Sequence, residues 1–119
     1  MQDFTRLEVW KKAHLLALSI YRLTSVFPKA ELYGLTSQMR RAAVSIPANI
    51  AKDCGRGSDL DFRRFLQIAM GSASELQYLV IMTKDLGFVK TDDFDKLDSD
   101  IKEVKRMLAA FIQKLKANG

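Results

Sequence analysis

From Phe94 to Leu115 the chain places apolar residues at alternating spacings of three and four: Phe94, Leu97, Ile101, Val104, Leu108, Phe111 and Leu115. This seven-residue repeat runs over three heptads and describes a long helix with one narrow apolar seam. Such a seam needs partner helices along its whole length. Three earlier segments supply them. Val9, Ala13, Leu16, Ile20, Leu23 and Phe27 form a helical stripe that follows Thr5 and Glu8, spaced as a capping box, and ends at Phe27-Pro28. Trp10, Ala17 and Tyr21 widen that stripe on one side. The expected first helix is therefore about 5–26.

A second stripe of Met39, Ala42, Ala43, Ile46 and Ile50 starts near Thr36 or Ser37 and stops at Cys54-Gly55-Arg56-Gly57, where glycine suits a C-cap. Ser58 is then the expected N-cap of a third helix, with Asp59 and Asp61 in its first turn at the positive end of the helix dipole. Its stripe is Phe62, Phe65, Leu66, Ala69, Ala73, Leu76 and Val80, and it ends at Gly87. Thr91, followed by Asp92 and Asp93, is the expected cap of the fourth helix. No alternating strand pattern competes, and the links are short. The expectation is one all-α domain over residues 1–119, an up-down-up-down antiparallel four-helix bundle.

The second and third helices carry more than a core stripe. At about 100° per residue, Val44, Pro47 and Ala51 fall on a second face of the second helix, where a monomeric bundle needs no apolar surface. On the third helix, Ile68, Leu79 and Met82 fall on a flank together with Glu75. These six apolar residues are the candidate surface for self-association. Arg41, Ser45 and Asn49 share a polar stripe on the second helix. With Glu75 they form a candidate polar network, in which Arg41 and Glu75 pair between helices. Pro47 also removes a backbone donor inside a helix, which costs about 3 kcal/mol unless packing compensates.

The order of short segments across the chain resembles the four-helix-bundle proteins encoded in intervening sequences of bacterial 23S ribosomal RNA genes. The likeness rests on Trp10, Lys12 and Ala13, then Gln38, Arg40 and Arg41, Ser45 and Ile46, and Asn49, Ile50 and Ala51. It continues through Gly55 and Arg56, Phe62 and Phe65, Gly71 and Ser72, and Glu75 and Leu76. More distantly, the chain resembles the accessory variability protein of diversity-generating retroelements. Where the first family's pattern has glutamate-glycine, this chain has Lys52-Asp53, a base in place of the acid. The resemblance implies a bundle that assembles as a homopentamer and an association with ribosomal RNA genes. The retroelement likeness implies a basic scaffold that binds nucleic acid.

Charge is compatible with that role. Nineteen Lys and Arg against fourteen Asp and Glu give a formal +5, a balance that permits nucleic-acid contact without requiring it. Arg40, Lys52, Arg56, Arg63 and Arg64 gather on the second helix, its terminal turn and the start of the third, and are the candidate phosphate contacts. The alternative for Arg40 and Arg64 is contact between subunits, and the alternative for the protein is an assembly module without nucleic-acid affinity. No RNA-stacking set of exposed aromatics is legible.

Catalysis has little to draw on. His14 is the only histidine and Cys54 the only cysteine, which excludes a disulfide within one chain and a histidine-rich metal site. The turn Gly55-Arg56-Gly57-Ser58 precedes a helix, but Asp59 and Asp61 oppose an anion there. No phosphate loop is present, and no nucleophile–base pair stands out. We therefore expect a non-enzymatic protein without metal or cofactor. MQDFTRLEVWKK lacks an apolar leader, and no run of about eighteen apolar residues spans a membrane. The expected setting is the cytoplasm, and the expected partners are further copies of the chain, nucleic acid (RNA foremost), or an unidentified protein.

Overall fold

Residues 3–52, 54 and 57–118 are described in a computed structural model of the protein. Four helices account for most of them: α1 (Glu8–Thr24), α2 (Ser37–Lys52), α3 (Asp59–Asp85) and α4 (Thr91–Asn118). No strand occurs among the described residues. The molecule measures 45 × 23 × 20 Å, the elongated shape of long helices lying side by side.

Cross-helix contacts fix the directions. Arg40 on α2 meets Thr24 on α1, Ser72 on α3 meets Ser45 on α2, and Lys105 on α4 meets Gln77 on α3. Phe62 and Phe111 pack edge to face at 5.3 Å, while Lys84 lies 4.4 Å from the Phe94 ring centre. Early residues of α3 thus meet late residues of α4. Consecutive helices run antiparallel, as short links require.

Most of the expected stripes became the core, but Leu23 is only half-buried against it and Phe65 of the α3 stripe is half-buried beside Lys52 instead. All five residues of the α2 stripe are buried, as are Phe62, Leu66, Ala69, Ala73, Leu76 and Val80 of α3. From α4 come Leu97, Ile101, Val104, Leu108 and Leu115, with Phe94 and Phe111 half-buried against them. The buried residues of α2 and α3 include Ala42, Ala43, Ala69 and Ala73, small side chains of the kind that let helix backbones approach closely.

Helix ends differ from expectation in four places. The Thr5–Glu8 capping box does not form. Asp3 instead accepts from both the backbone N–H and the hydroxyl of Thr5, which drives Phe4–Arg6 into a single 3-10 turn. Leu7 is then extended, and α1 starts at Glu8 without a side-chain cap. The helix also stops at Thr24. Thr91 is the first residue of α4, not the cap before it. The short Lys29–Leu35 link is itself wound: Lys29–Glu31 forms a 3-10 turn and Leu32–Thr36 a π-turn, kinked at Gly34, that leads into α2. Ser58 does cap α3, accepting from the N–H of Asp61 at 3.1 Å, and Gly87 takes the expected positive φ of 81°. The glycine C-cap expected at Gly55 lies outside the described residues.

α1 and α4 close the bundle less extensively than α2 and α3 do. Their link is an ion pair on the surface, Lys12 Nζ to Glu103 Oε1 at 2.8 Å. The hydrogen bond from Lys12, and then its charge, hold the Glu103 carboxyl below its ordinary value of 4.5. A carboxyl lowered on folding contributes stability above the ordinary value, and that contribution is lost as pH falls through the lowered one. An NMR titration of Glu103 therefore shows its midpoint below 4.5, and Lys12→Met returns it to the ordinary range.

Candidate functional site

The polar residues between α2 and α3 form a short chain of bonds. Asn49, buried on α2, donates its Nδ2 to the Ser45 carbonyl at 2.8 Å and to Ser45 Oγ at 2.9 Å. Ser72 Oγ donates to the same Ser45 Oγ at 2.8 Å. A hydroxyl has two acceptor positions, so Ser45 can serve both partners. Among the described residues no buried side-chain polar atom is left without a partner.

Arg41 and Glu75 are not in that chain. Both are exposed, and they form no ion pair with each other in the single chain. This corrects the expectation of a buried pair. The polar stripe is in place, but its small members lie at the helix contact, while the long charged ones reach past it to water, where ionic groups are better solvated. Ser72, which was not among the expected members, completes the network instead. A sequence signal existed in the small-residue run Gly71–Ser74.

Arg40 turns inward. Its Nε donates to Thr24 Oγ1 at 2.9 Å and its Nη2 to the Tyr21 carbonyl at 3.4 Å. The guanidinium carbon lies 4.6 Å from the centre of the Tyr21 ring. A cation thus caps the negative end of α1, which ties Arg40 to the fold and away from phosphate contact. Nothing in the sequence placed Thr24 opposite Arg40.

The other basic candidates divide. Lys52 is exposed, 5.6 Å from the Phe65 ring centre. Arg63 is half-buried, and Arg64 is exposed with Asp61 at 3.7 Å. Arg56 lies outside the described residues. Exposed Lys52 and Arg64, with Arg63, occupy the same end of the bundle, where α2 finishes and α3 begins.

Of the apolar self-association candidates, Val44, Ile68 and Met82 are 42%, 50% and 37% exposed, and Ala51 is half-buried. Pro47 and Leu79 are buried within the chain itself, which removes them from the outer surface. Register explains both. Pro47 lies seven residues after Arg40, two turns along the face that meets α1. Leu79 lies seven after Ser72, on the face that meets α2. α2 runs unbroken through Pro47, so core packing accommodates the missing donor.

A groove of about 810 Å³ runs along the outside of α2. Tyr21, Tyr33, Arg40, Arg41, Ser45 and Glu75 are among its walls. Tyr33 is 94% exposed, and no spacing or motif in the sequence singles it out.

His14 is exposed and stacks on Trp10 at 4.9 Å. Cys54 is buried, and burial first, then the nearby Asp3 charge, push its thiol above the ordinary value of 9.0. Such a thiol stays protonated near neutrality. No group of His, Cys, Asp and Glu among the described residues could hold a metal ion, and no helix there is long and apolar enough to cross a membrane.

The geometry just described, four antiparallel helices with a hydroxyl-lined α2–α3 contact, can be set beside known proteins. The family model of the 23S rRNA-intervening sequence proteins matches residues 5–110. The chain belongs to that family. A solved member of the S23 ribosomal protein family from Bacteroides thetaiotaomicron, itself of unknown function, has the same fold, with a TM-score of 0.78 at 23% identity. The likeness covers 87% of this chain and 97% of that one. No curated protein matches. Family membership thus brings a fold without an assigned activity, and the roles of individual side chains must come from their own surroundings.

Those surroundings separate Arg40 from Arg41. Arg40→Leu removes charge-assisted bonds to the end of α1 and lowers stability by about 1–3 kcal/mol, whereas Arg41→Leu and Glu75→Gln each change it by less than about 0.5 kcal/mol. Urea denaturation of the three variants distinguishes the two classes. Equal losses at Arg40 and Arg41 would contradict the assignment.

Proposed function

We propose that this member of the 23S rRNA-intervening sequence protein family is a non-enzymatic, self-assembling scaffold whose repeated basic surface contacts nucleic acid. The observation that carries the assembly is the outer face shared by α2 and α3. Val44, Ile68 and Met82 stand exposed there, as apolar surface that no part of the same chain covers. Covering such a face with another copy removes apolar surface from water, worth about 25 cal/mol per Å². The family resemblance favours a closed ring of five. A cytoplasmic setting fits these features.

Assembly makes a modest charge effective. Five copies at +5 each carry a formal +25, and the basic end of each bundle, with Lys52, Arg63 and Arg64, is repeated around the ring, Arg56 lying between them in the sequence. Weak phosphate contacts made together gain from the shared scaffold. Binding of this kind tolerates sequence and weakens steeply with salt, because contact releases condensed counterions. Arg40 is left out of this surface, since its guanidinium is committed to α1.

Two variants test the reading. Ile68→Asp with Met82→Asp puts charge into the self-association face, so the protein sediments as a smaller species and its RNA affinity drops with the lost multivalency. Replacing Arg56 and Arg63 together by alanine leaves assembly intact, weakens RNA binding across unrelated sequences, and flattens the plot of log affinity against log salt. Affinity that ignores salt, or is unchanged in the double arginine variant, would instead support an assembly module without nucleic-acid affinity.

A further inference from the structure

The groove along α2 has a chemistry different from the apolar face beside it. We propose that it seats one unpaired nucleotide of a single-stranded RNA, the base stacked on Tyr33 and the adjoining phosphate held by Arg41. This deepens the nucleic-acid reading above and rests on it.

Tyr33 supplies the platform. Its side chain is 94% exposed, yet its backbone belongs to the Leu32–Thr36 π-turn, which continues a 3-10 turn on one side and leads into α2 on the other. The chain kinks at Gly34 (φ −109°, ψ −110°) between the 3-10 turn and α2, and this bend presents the ring beside the groove. A tyrosine ring has few torsions to order when a base stacks on it, and any base offers a π-face. Tyr21, across the groove, is already occupied, since the Arg40 guanidinium lies over its ring. That leaves Tyr33 as the open aromatic of this groove.

Arg41 supplies the anion contact. It is exposed, lines the groove, and pairs with no carboxylate among the described residues. Its planar fork suits a phosphate in two-point contact. Glu75, on the α3 side of the same groove, sets the third feature. A carboxylate accepts from a ribose hydroxyl or an exocyclic amine and repels a second phosphate. The groove therefore suits a single nucleotide step with its base turned out, and is a poor seat for a duplex, whose bases are stacked away. Its volume of about 810 Å³ leaves room for one nucleotide. A second copy of the chain fits less well, because the groove carries two guanidinium groups and a carboxylate, whereas Ile68 and Met82 offer an apolar seat nearby.

Fluorescence anisotropy with a labelled, unstructured oligoribonucleotide tests the proposal, alongside sedimentation and circular dichroism of each variant. Tyr33→Ala weakens binding about fivefold to a hundredfold, as loss of one stacked base does. Tyr33→Trp retains the affinity and Arg41→Gln lowers the salt slope by about 0.7, one phosphate contact on a single strand. Fully paired RNA of the same length binds without dependence on Tyr33. Unchanged affinity of Tyr33→Ala, with the wild-type protein still binding in a salt-dependent way, overturns the nucleotide site and leaves the basic-surface reading standing. Absence of any RNA binding by the wild type overturns both. Disassembly of the oligomer on Tyr33→Ala assigns the groove to a neighbouring copy and also overturns the site.

Discussion

The register of α2 against α3 is the constraint on which the outer surface depends. Ser72 reaches Ser45 at 2.8 Å and Asn49 braces the same hydroxyl. Because the helices approach through small side chains, polar groups there must pair with each other, and leaving one unpaired would cost about 1–3 kcal/mol. A slide of α3 by one turn would break the Ser45–Ser72 bond. That same register turns Leu79 into the α2 contact and leaves Ile68, Glu75 and Met82 outside.

A second fixed point acts on the opposite side of α2. Arg40 spans from α2 to the last turn of α1 and binds both a hydroxyl and a carbonyl there. It orients the α1-facing side of α2, which buries Pro47 two turns on. Between these two anchored sides lies the strip that neither neighbour covers, with Arg41 and Val44. Exposure on this helix is thus the remainder after two specific contacts are made, which is why adjacent arginines have different roles.

The sequence carried the core well because periodicity reports directly on burial. Every member of the α2 stripe is buried, and the α4 heptads place Leu97, Ile101, Val104, Leu108 and Leu115 inside. It did less well wherever two faces of one helix are both covered. The pattern of Val44, Pro47 and Ala51 marks a second apolar face, but does not say whether α1 or another molecule covers it. Long polar side chains defeat it for a related reason: Arg40, Arg41 and Glu75 reach several ångströms, so their partners depend on rotamers and on the far helix. Tyr33 was hidden for a third reason. It sits in a short link outside every periodic stripe, where spacing says nothing about burial, and the chain kinks beside it at Gly34.

The proposed function resides in surfaces, with assembly multiplying a small charge and a repeated groove. The apolar outer face of α2 and α3 is its central element, since without a partner for Ile68 and Met82 the basic ends act singly. Native mass spectrometry of the unmodified protein at micromolar concentration tests this most directly. A closed ring of five gives one dominant species with the mass of five chains; a spectrum containing only the 13.5 kDa monomer would overturn the proposed assembly.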